Sequence, residues 1–444
     1  MNLSEKCGGF GGFGGFDRLG ESNRFDKFGG FNRFTPFIRF DRFDFYFLIT
    51  ATLSLLSLIY LIYGASISYK EAVILEQNKA LIAQLANLSI ERFAPYLGKD
   101  FALKLPNLIF HTLNLTLIYL ISNRILKYKS DSVLCVAIYA IIPGVIMQGS
   151  ILNESVLMLC IVLLICFVEL TPRKKIAYPL LAIAVFIDES AFMLFLALFF
   201  YALFKDNDKS HFIPRIRANL VLNRNILLFA ICCFALNLFC YGIDISGRPH
   251  GKFLDIFSEL ALLYSPLLFV YFIYTIYRNF AKYKANLLLY ISGTSLFVSV
   301  ILSIRQDIDK EIFMFMSLCG IPLMIRQMLS DIRLRLPIFQ LNYKRRFIIV
   351  MAVLFLEAGL LVFSKQIYRV SNDDEIFLNQ FYIAKEIANE LKARDISRVS
   401  VDGRMQKRLA FYGIKDGGQP LKQVKKGGNI LIRYNEKIVV RYAI

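Results

Sequence analysis

Long apolar segments recur along this chain of 444 residues and constrain its fold more than any other feature. Several of them reach about eighteen mostly apolar residues, which is the length that crosses a bilayer as an α-helix. The chain is 56% hydrophobic, which is too apolar for an ordinary soluble enzyme. The first apolar run begins near Phe45 and lacks the short apolar core and cleavage site of a signal peptide. The pattern therefore predicts a polytopic membrane protein with a retained first span.

The hydropathy pattern predicts about eleven spans, and the charges of the loops predict their orientation. With the N-terminus in the cytoplasm, the cytoplasmic loops hold 20 Lys and Arg residues and the opposite loops hold nine. Because Lys and Arg concentrate in cytoplasmic loops, we expect a cytoplasmic N-terminus and a C-terminus outside the cytoplasm. The predicted spans are 45–64, 106–126, 132–148, 155–171, 176–188, 190–204, 226–243, 259–277, 286–303, 312–329 and 348–364.

Two segments flank the predicted membrane domain of residues 45–364. Residues 1–44 repeat GGF and RF, a low-complexity composition typical of a disordered tail. Residues 365–444 are predicted to form a small extracytoplasmic α/β domain, with an amphipathic helix over 376–391, a strand in SRVSVDG and a hairpin of ILIRY and IVVRYAI. This domain is rich in Lys and Arg and could bind an anionic acceptor; the alternative is that it serves as a cover or a brace.

The net charge of +18 suggests either nucleic acid or a membrane as partner. In a polytopic protein, basic loops that fix orientation and contact anionic lipid explain the charge, so we expect membrane lipids and no nucleic acid. Seven of the eight cysteines lie in predicted spans, and no CxxC pair occurs. The cysteines therefore predict neither a zinc site nor a disulfide framework.

The first predicted loop, residues 65–105, is unusually long and carries Glu71, Glu76 and Asp100 close to apolar sequence. Ionisable groups at membrane depth are costly, and they are therefore often functional. In a helix, Glu71 and Glu76 are separated by about 140°, so both cannot face one pocket. Glu71 is nearer the end of the first span and is the stronger candidate; Glu76 and Asp100 are secondary.

Other carboxylates lie at the predicted outer ends of spans. Glu154 occurs in LNES, and Asp188 and Glu189 occur in IDES. The loops that carry them are so short that these groups must stay near the bilayer plane. Asp307 and Asp309 form a DID sequence that resembles a DxD metal motif, a weak indication of a divalent cation such as Mg²⁺ or Mn²⁺. No other cofactor is predicted.

One region resembles the GT-C-type glycosyltransferases, the superfamily of the protein O-mannosyltransferases and the aminoarabinose transferases of lipid A. The similarity lies in YKEAVILEQNKALIAQLANLSIERF, in FALKLPNLIFHTLNLTLIYL and in IYAIIPGVIMQGSILNES. It covers about residues 45–205. The resemblance implies a sugar donor linked to polyprenyl phosphate, a glycan, lipid or protein acceptor, and inversion at the sugar carbon C1.

The resemblance also implies site residues. Glu71 matches the first-loop acid of the superfamily, and Glu154 matches the acid after its third span; one of them would act as general base. The family often has Asp or Asp-Glu where this chain has Lys70 and Glu71. The Lys-Pro-Pro segment of the aminoarabinose transferases is missing. The candidates for binding the donor phosphate are therefore Lys99, Lys104 and Arg305.

Two other classes of protein fit part of the pattern. A transporter or lipid flippase would place acids and broken helices at the bilayer midplane, often within internal repeats. A polysaccharide polymerase or ligase would carry one large late periplasmic loop. Here the distinctive acids flank the spans, no duplicated half is visible, and the longest loop between spans is the first. These observations favour the glycosyltransferase.

Overall fold

The computed structural model describes residues 41–172, 174–205, 219–242, 253–282, 286–305, 314–367, 382–424, 427–434 and 437–443. Nearly all of the predicted tail lies outside these ranges, and so do residues 376–381 of the predicted C-terminal helix. The first described helix begins at Arg42, inside the boundary predicted for the tail.

The described chain is mostly helical, with five short strands near its end. The membrane-domain helices are α1 (Arg42–Gly64), α2 (Tyr69–Gln77), α3 (Leu81–Leu97), α4 (Lys99–Ile125), α5 (Lys129–Ile141), α6 (Pro143–Ser150), α7 (Glu154–Glu169), α8 (Ala177–Ala184), α9 (Ala191–Phe204), α10 (Arg224–Tyr241), α11 (Phe253–Tyr264), α12 (Pro266–Ala281), α13 (Leu287–Arg305), α14 (Ile321–Arg333) and α15 (Pro337–Val362). Short 3₁₀ helices cover Lys174–Ile176 and Met316–Gly320. The chain continues through α16 (Ser364–Ile367), α17 (Ile383–Ala393), β1 (Arg398–Ser400), α18 (Gly403–Phe411), β2 (Lys415–Pro420), β3 (Lys422–Gln423), β4 (Ile430–Tyr434) and β5 (Lys437–Ala443).

Four helices of the described residues, α1, α4, α10 and α13, are long and apolar enough to cross a membrane, and six spans result if each bent pair counts as one. The polytopic helical class is therefore confirmed, whereas the prediction of eleven spans is not. The segment predicted as a span at 176–188 contains only α8, an eight-residue helix that is about 12 Å long. Such a helix is too short to cross the bilayer core.

The span predicted over 259–277 is bent, because the chain turns by 102° between α11 and α12. Ser265 lies at the bend with a φ of 78°, and Pro266 begins α12. Proline disfavours the α conformation at the residue before it and has no N–H to continue the helix. A second bend of 61° separates α5 from α6, where Pro143 begins the new helix.

Helix α4 lies at the centre of the helical bundle. In the most apolar 18-residue stretch of α4, 56% of the residues are buried, whereas the corresponding stretches of α1 and α10 are 28% and 22% buried. Its buried residues pack against α5 and α7, whereas α1 and α10 keep wide apolar faces exposed, as helices in contact with lipid do. Residues placed along α4 are therefore held more firmly than those on the outer helices.

The strands form a small domain at the end of the chain. β1 pairs with β2 in parallel, and β3, β5 and β4 form an antiparallel sheet in that order. The pairing of β4 with β5 is the hairpin that ILIRY and IVVRYAI predict. The apolar core of the domain continues into the first loop, where Ile67, Ile82 and Leu103 pack against Ile387 and Leu409. The first loop and the C-terminal domain thus share one hydrophobic core.

Glycine allows two helices to approach closely in the bundle, and this generates a first prediction. A Cβ atom on Gly144 of α6 would lie 2.8 Å from the backbone oxygen of Leu263 in α11. We expect Gly144→Ala to destabilise the protein by about 1–3 kcal/mol, because backbone atoms must move to make room. Gly359→Ala in α15 is the matched control, since nothing lies within 4 Å of its Cβ position.

The measurement is thermal unfolding of both variants in one detergent. Gly359→Ala should be neutral or stabilising by up to about 1 kcal/mol, because alanine favours helix over glycine. Equal unfolding temperatures for the two variants would show that the close packing of α6 on α11 is wrong.

Candidate active site

Glu71 connects two loops through its carboxylate. Helix α2 begins with a capping box, in which Glu71 N donates to Ser68 Oγ at 3.2 Å and Ser68 N donates to Glu71 Oε2 at 2.6 Å. The other oxygen, Oε1, accepts a hydrogen bond at 2.7 Å from the backbone N–H of Leu152 in the α6–α7 connection. Glu71 is fully buried. Both of its oxygens therefore bind backbone, and the geometry gives Glu71 a structural role.

The segment before α7 is held from a second side by Asn107 of α4. Its amide Nδ2 donates to the carbonyl of Gln148 at 3.1 Å and to the carbonyl of Ile151. Because α6 ends here, these carbonyls lack the N–H groups that a continuing helix would offer them. Without Asn107 they would be unpaired, and unpaired carbonyls are costly in lipid. Asn153 then begins α7 by accepting from Ser155 N at 3.0 Å. Glu154, the first residue of α7, is thereby fixed in position.

Glu154 and Asp188 each lie within electrostatic reach of the hydroxyl of Tyr241 in α10. That hydroxyl donates a hydrogen bond to the carbonyl of Phe186 at 2.8 Å. Asp188 is buried and accepts a hydrogen bond from Ser190 Oγ at 2.9 Å. The turn between α8 and α9 is held by Asn237, which donates to the carbonyl of Asp188 at 3.1 Å. We call Glu154, Asp188 and Tyr241 the acidic cluster; Glu189, half-buried, follows Asp188 in the same turn.

Asp100 holds the C-terminal domain against the first loop. Tyr412 donates to Asp100 Oδ1 at 2.6 Å and accepts from Ile67 N at 3.1 Å, and Lys385 forms an ion pair with Oδ2 at 2.8 Å. Arg408 donates to the carbonyl of Ile67 at 2.8 Å. Burial, and then the charge of Asp100, raises the pKa of Tyr412, so its hydroxyl remains protonated and can donate. We call these five residues the docking joint.

The predicted phosphate-binding lysines lie in different surroundings. Lys104 is 1% exposed, and the described part of the chain offers its ammonium no hydrogen-bond or ion-pair partner. It lies one helical turn from Asp100 on one side and from Asn107 on the other. A side chain that is almost wholly buried and whose ammonium lacks a protein partner suits the binding of an anion at the loop end of α4. Lys99, by contrast, is exposed.

Glu76 and the remaining predicted residues lie apart from these groups. Glu76 forms an exposed ion pair with Lys407 at 2.6 Å, which raises the pKa of Lys407. α13 ends at Arg305, and the metal candidates Asp307 and Asp309 lie outside the described residues. Among the residues that the structure describes, no three His, Cys, Asp or Glu side chains are grouped as a metal site requires. The divalent cation stays a prediction.

Comparison with known proteins shows the fold. No protein-family model matches the chain, and no curated protein matches its sequence. The crystal structure of ArnT from Cupriavidus metallidurans in the apo state matches with a TM-score of 0.51 and 9% sequence identity. The match covers 85% of this chain and 86% of that one. ArnT is an aminoarabinose transferase of the GT-C glycosyltransferase class. The chain therefore shares a GT-C-type fold, and the resemblance predicted from its sequence is confirmed at this level.

Several residues of the site carry no sequence signal. Tyr412 and Arg408 contact Ile67 across more than 300 positions, and neither belongs to a motif. Asn107 carries a weak signal, since it follows Lys104 by three residues and so shares its helix face. An amide at membrane depth on the face of a lysine could have been recognised as part of a polar site.

The docking joint generates a second prediction. Tyr412→Phe leaves Asp100 Oδ1 and the N–H of Ile67 each without this partner, which we expect to cost about 1–3 kcal/mol. Thermal unfolding and limited proteolysis of the C-terminal domain measure the effect. Tyr96→Phe is the control, because Tyr96 is 86% exposed on α3. If Tyr412→Phe matched this control in both assays, the docking joint would not hold the domain.

Proposed function

We propose that this protein is a membrane glycosyltransferase that moves a sugar from a polyprenyl-phosphate donor to a glycan, lipid or protein acceptor. The observation that carries the proposal is Lys104 at the loop end of α4, whose side chain is 1% exposed and whose ammonium has no hydrogen-bond or ion-pair partner among the described residues. This cation occurs in a fold shared with a GT-C glycosyltransferase. The basic loops support a bacterial inner membrane location, a cytoplasmic N-terminus and a periplasmic C-terminal domain.

The role of Lys104 is to bind the donor phosphate. When the bond between C1 of the sugar and the phosphate oxygen breaks, the electron pair leaves with the phosphate, whose negative charge increases. A fixed ammonium in surroundings of low dielectric stabilises that charge without reorganisation. Lys99 and Arg305 remain candidates for a second contact. The apolar tail of the donor would lie between the helices and lipid, with its head group at the loop end of α4.

The carboxylate that serves as general base is best placed at Glu154. Glu154 is half-buried at the first turn of α7 and belongs to the acidic cluster, whereas both oxygens of Glu71 bind backbone N–H groups. The base removes the proton of the acceptor group as its oxygen or nitrogen attacks C1 opposite the leaving phosphate. A single displacement of this kind inverts C1. Glu71 stays the second candidate, and Asp188 and Glu189 would orient the acceptor.

One observation favours a transporter as the second candidate. The bends between α5 and α6 and between α11 and α12 resemble the broken helices of transporters. In this chain, however, the α6–α7 connection is fixed by Glu71 and Asn107, which suits a rigid site better than a moving one. Uptake of a polyprenyl-phosphate sugar into proteoliposomes without transfer to any acceptor would favour the transporter.

The third prediction separates the two carboxylates. Glu154→Gln should lower sugar transfer by about 10²–10⁴-fold, because the proton acceptor is lost. Glu71→Gln should lower the unfolding temperature, because an amide cannot accept from both Ser68 N and Leu152 N with the same strength. The assay is transfer of radiolabelled sugar from a polyprenyl phosphate to acceptors in isolated membranes.

Two outcomes would contradict this assignment. Turnover equal to wild type in Glu154→Gln would remove Glu154 as the base. Complete loss of transfer in Glu71→Gln at an unchanged unfolding temperature would place the base at Glu71.

The fourth prediction concerns Lys104. Lys104→Met should abolish binding of a polyprenyl phosphate, measured by native mass spectrometry, and should raise the unfolding temperature of the free protein. Methionine fills the nearly buried position of Lys104 without a charge that the protein leaves unpaired, so affinity and stability change in opposite directions. Lys79→Met, at an exposed position, is the matched control. Retained binding in Lys104→Met, or a lowered unfolding temperature, would contradict a phosphate site at this lysine.

A further inference from the structure

A cleft lies between the first loop and the C-terminal domain, beside the hydrophobic core that they share. It has a volume of about 460 Å³ and lies between α2 and α3 on one wall and α18 on the other. We call it the loop–domain cleft. Ile67, which lines the cleft, belongs to the docking joint. Lys99 also lines the cleft and directly precedes Asp100 of that joint. The cleft therefore lies directly beside the docking joint. A ligand in the cleft would contact both parts of the protein at once.

The mouth of the cleft is basic. Lys407 of α18 pairs with Glu76 of α2 across the two walls, and the side chains are 41% and 63% exposed. Lys99 is exposed, and no described residue provides its ammonium with a hydrogen-bond or ion-pair partner. The lining therefore presents two ammonium groups and one carboxylate. An exposed ion pair such as that of Glu76 is weak and can exchange one carboxylate for another.

The floor of the cleft is apolar. It is formed mainly by Ile67, Leu75, Ile90 and Phe411. Asn87 is the neutral polar side chain of the lining, and its amide nitrogen already donates to Asn78 Oδ1 at 2.9 Å. A saccharide would bury several hydroxyl groups here with few hydrogen-bond partners, and unpaired polar groups are costly to bury. An apolar side chain fits this floor better than a sugar ring.

We propose that the loop–domain cleft binds an acidic peptide segment. A carboxylate of the segment replaces Glu76 at Lys407 and contacts Lys99, and an apolar side chain of the segment packs on Phe411 and Leu75. The binding itself is independent of the reaction. The role of this binding in catalysis rests on the proposed function. For a glycosyltransferase, the peptide segment belongs to the acceptor, which is then a protein with acidic and apolar residues around the modified position.

The test is the binding of a fluorescein-labelled peptide to the full chain in detergent, followed by fluorescence anisotropy. The probe has about nine residues, roughly 30 Å when extended, and alternates Glu with Leu or Phe. A matched peptide carries Gln in place of Glu. We expect the acidic peptide to bind at least about tenfold more tightly than its Gln counterpart, and this preference should weaken as salt is added, because the contacts lie at an exposed mouth.

Variants assign the binding to the cleft. The double variant Lys99→Gln with Lys407→Gln should remove the preference for the acidic peptide. The double variant Lys415→Gln with Lys422→Gln is the matched control, since both lysines are exposed in the same domain but do not line the cleft. Glu76→Gln should tighten binding by about fivefold, because it removes the carboxylate that competes for Lys407. A purely structural ion pair would give weaker binding in this variant.

Four outcomes would overturn the proposal: no binding of the acidic peptide, equal binding of the Gln peptide, weaker binding in Glu76→Gln, or an equal loss in the Lys415 and Lys422 control. A tetramer of galacturonate that binds more tightly than the peptide, with the same dependence on Lys99 and Lys407, would also overturn it and assign the cleft to an anionic saccharide. Failure here is distinguishable from failure of the proposed function, since donor binding in the Lys104 test is measured without any acceptor.

Discussion

The hydrogen bond from the backbone N–H of Leu152 to the carboxylate of Glu71 is the contact on which the candidate site depends. A chain broken between α6 and α7 inside an apolar bundle must find partners for the backbone groups that the break releases. Glu71 and Asn107 supply them from two directions. Because the break is satisfied in this way, α7 begins at a fixed residue, and Glu154 is held within electrostatic reach of Tyr241.

A continuous series of contacts leads from the C-terminal domain to the acidic cluster. Arg408 and Tyr412 hold the backbone of Ile67, and the next residue, Ser68, caps α2. Glu71 in that helix then holds the backbone N–H of Leu152. The domain therefore contacts the first loop at the residue that precedes the cap of α2. The shared hydrophobic core makes the connection stiff, since buried packing leaves little room for sliding.

Sequence periodicity predicts those parts of the fold that local chemistry decides. The long apolar runs give α1, α4, α10 and α13, and alternation gives the hairpin of β4 and β5. The prediction that Glu71 and Glu76 face different surroundings also agrees with the structure, because Glu71 is buried and Glu76 forms an ion pair with Lys407 at the surface. The sequence could not show that the Glu71 carboxylate faces the backbone N–H groups of Ser68 and Leu152. Nor could it show that the chain bends by 102° before Pro266, where a mild kink was equally compatible with the sequence. Both depend on contacts between residues far apart in the chain.

The docking joint also has a consequence for synthesis. Asp100 and the backbone of Ile67 are made early, whereas their partners Lys385, Arg408 and Tyr412 come from the last seventh of the chain. Until those residues have left the ribosome and reached the same side of the membrane, the first loop lacks the groups that neutralise and cover it. A truncated or stalled chain would therefore insert its helices without assembling the site, and such a product would be inactive from the outset.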